Sequence, residues 1–235
     1  MAIFVSCEEL DDVLSVGLTE TEIVEGLKSA LTVGTDTSVT TVSKKDGYYK
    51  DALIKILLPP EAALIQQYIT YIPGGDGLLE DVVERLNRAA EDAATEAKPI
   101  FVAAITGMTI ADGVDILWGE DTAATHYLRN TTYNELFNLF QPKVATSLDK
   151  DLVGGVSTNE SWNVVTSAYN DNVAETLFGM ALGLTAINTD LDEYATHKAL
   201  HGLFVKVKDE EKDIRTDPLA RVNDILSKVF GSLDE

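Results

Sequence analysis

The stretch EDVVERLNRAAEDAATEAKPIFVAAITGMTIADGVDILWGEDTAATHYLRNTTYNELFNLFQPKV, residues 80–144, holds the most regular apolar pattern in the chain. Leu79, Val82, Val83, Leu86, Ala90, Ala93 and Ala97 recur at three- and four-residue steps, the spacing that lines one face of an α-helix. This predicts a core helix starting near Asp76 or Gly77. The five alanines from Ala89 to Ala97 make its face shallow enough for a second helix to approach closely. Pro99 ends or restarts the helix, and IFVAAITGM (100–108) reads as a fully buried helical turn or two. Thr109 with Asp112, and Thr132 with Glu135, have the spacing of capping boxes, while Gly119 and Asp121 mark an end and a beginning. Short helices joined by tight turns are expected here.

Towards the N-terminus, Thr19 and Glu22 form another T-x-x-E box ahead of Ile23, Leu27, Ala30 and Leu31, with Gly34 as the expected stop. A weak helix is expected over 36–43, broken by Gly47. Leu53–Leu57, before Pro59, is the one candidate strand, because proline disfavours helix in the residue preceding it. A helix is predicted from Pro60 through Tyr68, then a loop at IPGGDG (72–77). Beyond the core stretch, the glycines of DLVGGVSTN (151–159) mark an internal joint. Ser157 and Glu160 cap a helix carrying Trp162, Val165 and Tyr169. FGMALGLTAIN (178–188) reads as a buried turn, and Asp190 opens a long helix through Leu203, Phe204 and Val207. Asp217-Pro218 starts the last helical segment, which Gly231 stops. The class is all-α: one domain over 18–231, an irregular bundle of roughly eight to ten helices, preceded by a tether over 1–17.

Composition restricts the partners. Thirty-nine acidic residues against eighteen Lys and Arg give a formal charge of −21, which repels phosphate backbones and argues against nucleic acid as a partner. No run of roughly 18 apolar residues exists to span a membrane as a helix. The lone cysteine, Cys7, excludes an internal disulfide. It follows MAIFVS, which resembles the end of a bacterial lipoprotein signal, with a small residue before the cysteine that takes the lipid. The expectation is a chain lipidated at Cys7, whose gene product starts further upstream.

LNRAAE (86–91), the pattern of Ala104-Ile105, Met108-Thr109 and Asp112, and AATHYL (123–128) carry a family resemblance. So do KALHGLF (198–204), EEKDIR (210–215) and KVFG (228–231). On these residues the chain resembles the bacterial family DUF4197 over roughly 18–231. The resemblance implies an all-α protein of the cell envelope with no assigned reaction. Gly113 stands where alanine is more usual, and His201 where aspartate is.

Asn87 and Glu91 lie four apart beside the alanine stripe, either as a buried hydrogen-bond network or as the floor of a small-molecule pocket. Arg88 faces nearer solvent, where Glu84 and Asp92 can pair with it. Thr109, Asp112 and Thr125 are candidates for the same region, against simple capping for the first two. His197 and His201, with Glu193, share a helix face, but the glutamate that follows the first histidine in zinc hydrolases is missing. His126 is the only other histidine, and no metal site is assigned. Asp190 and Asp192 lack the glycine of a calcium loop. No nucleophile elbow, P-loop or dinucleotide fingerprint occurs, and no cofactor is expected.

The expected function is a non-enzymatic envelope lipoprotein, periplasmic or on the outer membrane. It binds a small molecule or an envelope protein in a helical cleft around Asn87, Glu91, Asp112 and Thr125. The alternatives are a hydrolase with Glu91 or Asp112 as general base, a purely structural assembly protein, and a cytoplasmic location.

Overall fold

In the computed structural model, which describes residues 17–68, 78–150 and 157–234, Glu22 accepts hydrogen bonds from both the amide and the hydroxyl of Thr19. The Thr19 hydroxyl accepts the Glu22 amide in return. This capping box opens α1, Glu20–Val42. Short α2 (Ala62–Gln67) precedes α3 (Leu78–Ala93), which a single 3₁₀ turn links to α4 (Ala97–Thr106). Next come α5 (Ile110–Leu117), α6 (Ala123–Leu148), α7 (Thr158–Tyr169) and α8 (Leu177–Ala181). The series closes with α9 (Leu191–Thr216) and α10 (Asp224–Gly231). Of the described residues 74% are helical and none is in a strand, so the all-α class holds. The tether with Cys7, the IPGGDG loop and most of the glycine joint lie outside the described residues.

The chain divides into two compact units. The first gathers the described residues up to Thr40, Ala97–Glu135 and those from Phe204 onward. Its core draws Ile23, Leu27 and Leu31 from α1, Phe101 from α4, Leu128 from α6 and Phe230 from α10. Gly26 lets α1 lie directly against α10, since a Cβ there would come within 2.5 Å of a Val229 methyl. A small cavity lined by Leu27, Val207 and Phe230 has room for about one water, with Glu211 and Arg215 at its polar edge.

The second unit comprises Thr41–Glu96 and Leu136–Leu203. Val82, Leu86, Ala89, Ala90 and Ala93 of α3 are all buried, and α3 packs on α7. The alanine stripe is therefore the close-packing surface that the spacing predicts. Tyr48 lies against Gly202 and donates its hydroxyl to the Ala199 carbonyl (2.7 Å). Burial raises its phenol far above the ordinary tyrosine value.

Five local expectations are corrected. Gly34 does not stop α1, which continues eight residues to Val42 and absorbs the expected weak helix. There the Thr35 and Ser38 hydroxyls bond back to the Leu31 and Gly34 carbonyls, so buried polar side chains are satisfied within the helix. Leu53–Leu57 forms no strand. Thr132 and Glu135 do not form a box: the Thr132 hydroxyl bonds to the Leu128 carbonyl (2.6 Å) inside continuous α6, which runs through Pro142. Leu128, Leu136, Phe140, Val144 and Leu148 give α6 an unbroken buried stripe, and that packing overrides the local stop signals. IFVAAITGM is amphipathic instead of fully buried, with Ile100, Phe101 and Ile105 inside and Val102 exposed. The 178–188 segment is largely outside, with Phe178, Met180 and Leu182 in solvent.

Candidate functional site

Asn87 and Glu91 are buried, and their polar atoms serve the backbone of the 46–56 segment. Asn87 Nδ2 donates to the Ile56 and Val83 carbonyls at 2.8 and 2.7 Å, and Oδ1 accepts the Ile56 amide at 2.8 Å. In this way Ile56, in the irregular run that follows the turn at residues 52–54, has both backbone groups satisfied without a partner strand. Glu91 Oε1 accepts the Tyr48 and Tyr49 amides, and Oε2 accepts Arg88 Nη1 at 2.8 Å. Arg88 reaches Asp46 and Glu84 with its other nitrogen, whereas Asp92 pairs with Lys150. Hydrogen bonds from Lys50 and Arg88 lower the Asp46 carboxyl to about 2. Both oxygens of Glu91 are thus engaged by donors of its own unit.

Asp112 and Thr125 belong to the other unit. Asp112 completes the capping box of α5 with Thr109. Thr125 donates its hydroxyl to Glu211 Oε2 (2.6 Å), and the same carboxylate accepts the Ala124 and Thr125 amides. Glu211 of α9 therefore caps the start of α6, and Arg215 completes the cluster by reaching Glu211 and the Ile116 and Leu117 carbonyls. His197 lies beside the Phe137 ring and 3.7 Å from Glu193, and His201 is exposed.

The second unit holds a cleft that the sequence reading did not assemble. The Ser157–Glu160 capping box starts α7. From that end Asn159, Asn163, Thr166, Ser167 and Asn170 follow at helical spacing along one edge of the cleft. The opposite wall is the lead-in to α9, Ile187–Thr189, and its first turn, Asp190–Asp192. Two clamps set the separation. Asn170 exchanges hydrogen bonds with both backbone groups of Ile187 (3.0 and 2.8 Å), and Trp162 Nε1 donates to the Thr189 carbonyl. Asp190 Oδ1 caps α9 by accepting the Asp192 and Glu193 amides.

The resulting cleft has a volume of about 530 Å³ and adjoins a hollow that shares Asp149, Asn159, Asn163 and Ser167. Asn159 Nδ2 bridges two carboxylates, donating to Asp149 Oδ1 at 2.8 Å and Asp192 Oδ1 at 2.9 Å. Asp149, Asp190, Asp192 and Glu160 line the two hollows, and no Lys, Arg or His does among the described residues. Burial raises the Asp192 carboxyl above the usual range; Asp190 and Asp149 push it the same way, against the hydrogen bond from Asn159. Among the described residues these carboxylates do not converge as a metal-ligand set. The signal for the cleft was the amide and hydroxyl stripe 159–163–166–167–170, legible at helical spacing. Its pairing with Asp190 and Asp192 was not, because 33 residues separate Asn159 from Asp192.

Fold and cleft together define an all-α protein with an anionic, amide-lined groove in its second unit. The chain belongs to the family described as "Protein of unknown function (DUF4197)", whose model matches residues 17–231. No curated protein and no solved structure matches it.

Proposed function

We propose that this protein is a non-enzymatic binding protein of the bacterial cell envelope. It is held to the membrane through lipidated Cys7, and its α7–α9 cleft takes a small organic cation with hydrogen-bonding groups, such as an amine or guanidinium compound. The observation that carries this reading is the Asp149–Asn159–Asp192 bridge. Its single amide donor holds two carboxylates side by side in a cleft without a cationic side chain among the described residues. Like charges held together in a partly dehydrated site favour a cation that neutralises them. The volume suits a metabolite-sized ligand, and amide and hydroxyl groups along α7 offer both donors and acceptors. The anchor is supported by the MAIFVSC end.

The cleft is tested by calorimetry and thermal shift with spermidine, arginine and a neutral analogue at fixed ionic strength. Saturable binding of a cation that Asp192→Asn abolishes supports the reading. Equal behaviour of wild type and Asp192→Asn refutes it. The anchor is tested separately by replacing Cys7 with Ala in the full-length gene, with loss of membrane association as the expected result.

A further inference from the structure

We propose that the knob formed by α8 and its return turn, Leu177–Leu184, dips into the interface of a lipid surface. Leu177 is 89% exposed, Phe178 and Met180 62% each, and Leu182 54%, so four large apolar side chains lie in water on a span of six residues. No charged residue occurs between Glu175 and Asp190.

The backbone of the knob is closed on itself. Thr176 caps α8 by accepting the Gly179 amide, and the Met180 and Leu182 amides bond to the Thr176 and Phe178 carbonyls. Past the helix, Gly183 at φ +70° turns the chain back. Its amide bonds to the Met180 carbonyl and the Leu184 amide to the Gly179 carbonyl. A segment entering a lipid interface gains from pairing its backbone groups internally and from presenting apolar side chains. This one pairs the five amides of Gly179, Met180, Leu182, Gly183 and Leu184 and presents four large apolar side chains. Its base is fixed: a Cβ at Gly179 would collide with the Val173 carbonyl oxygen, so the helix sits hard against the single π-helical turn Asn170–Ala174 before it.

A second copy of the chain is the rival occupant. The four side chains present on the order of 500 Å² of apolar surface, a common patch size and short of the roughly 800 Å² per partner of a stable protein interface. Charge selects the kind of lipid. With a net charge of −21 the protein is repelled by anionic headgroups, so the uncharged knob suits a zwitterionic surface. The inference rests on the proposed anchor only for a standing supply of nearby membrane, because a tether converts weak insertion into a local equilibrium.

The test uses the whole chain carrying Phe178→Trp. Cys7, the sole cysteine, is coupled to a maleimide-headgroup lipid in phosphatidylcholine vesicles. The expected result is a blue-shifted emission difference from wild type and several-fold stronger quenching by brominated-acyl phosphatidylcholine. Both are lost when Leu177, Met180 and Leu182 are changed to Ser in the same background. Quenching equal to that of the triple-serine chain overturns the proposal. So does a blue shift without vesicles that grows with protein concentration alongside a dimer in sedimentation, which makes the occupant a second copy. Chemical coupling supplies the tether, so a Cys7 that cells leave unlipidated sinks the anchor without touching this result.

Discussion

Asn87 pairs with Ile56 as a neighbouring β-strand would, giving a hydrogen bond to its carbonyl and taking one from its amide, both at 2.8 Å. One side chain thereby satisfies both backbone groups of a buried residue that lies outside any helix. Asn87→Leu leaves both Ile56 groups buried and unpartnered, at a cost of about 2–4 kcal/mol. Urea unfolding followed by circular dichroism measures it; an unchanged midpoint would show that water replaces the amide.

Glu211 and Arg215 form a buried pair whose carboxylate also caps α6. Glu211→Ala leaves the buried Arg215 charge without its carboxylate and two helix amides without their acceptor, and about 3–5 kcal/mol of destabilisation is expected. Joint replacement by Glu211→Leu and Arg215→Met is expected to cost less than the two single changes added together. Strict additivity in a double-mutant cycle would contradict the coupling.

Asp192 sets a pH dependence of definite sign. Its carboxyl is raised in the folded protein, so between the unfolded and folded values the native state holds more protons than the unfolded one. Its contribution to stability therefore falls as pH rises through the folded value. Cation binding in the cleft runs the other way and weakens as pH falls through that value. Asp192→Asn is expected to flatten the first profile and to remove the second, with thermal melts and calorimetry at stepped pH as the readouts.

Glu22 and Asp46 behave oppositely. Lys228 and the Thr19 backbone lower Glu22 to about 2, and Lys50 and Arg88 do the same for Asp46. Stability from these pairs is present above the ordinary carboxylate values and is lost as pH falls towards about 2. The double change Glu22→Gln and Asp46→Asn is expected to shrink the acid-induced drop in melting temperature. Since both groups are partly exposed, high salt is expected to shrink it as well.

Gly113 of α5 lies directly against α1. Here a Cβ would come within 2.6 Å of a Val24 methyl, on a side chain with little rotamer freedom. Gly113→Ala is expected to destabilise by about 1–3 kcal/mol, and adding Val24→Ala is expected to recover part of the loss. Melting temperatures of the single and double variants decide it.

The sequence by itself determined the all-helical class and the helix starts at Thr19, Thr109, Ser157 and Asp190. It missed α8 and placed the start of the last helix at Asp217-Pro218, where the structure has a 3₁₀ turn and α10 begins only at Asp224. Thr19–Glu22, Thr109–Asp112 and Ser157–Glu160 close their boxes because donor and acceptor lie within one turn, where backbone geometry alone brings them together. It determined the alanine face of α3 for the same short-range reason. The same letters at Thr132 and Glu135 close nothing, because the buried stripe from Leu128 to Leu148 holds α6 straight through them. Local signals cannot weigh that packing energy. Only the tertiary structure decided that Glu211 caps a helix 86 residues away and that Asn159 joins Asp149 to Asp192. Such pairs depend on which surfaces meet after collapse, and spacing along the chain does not encode that.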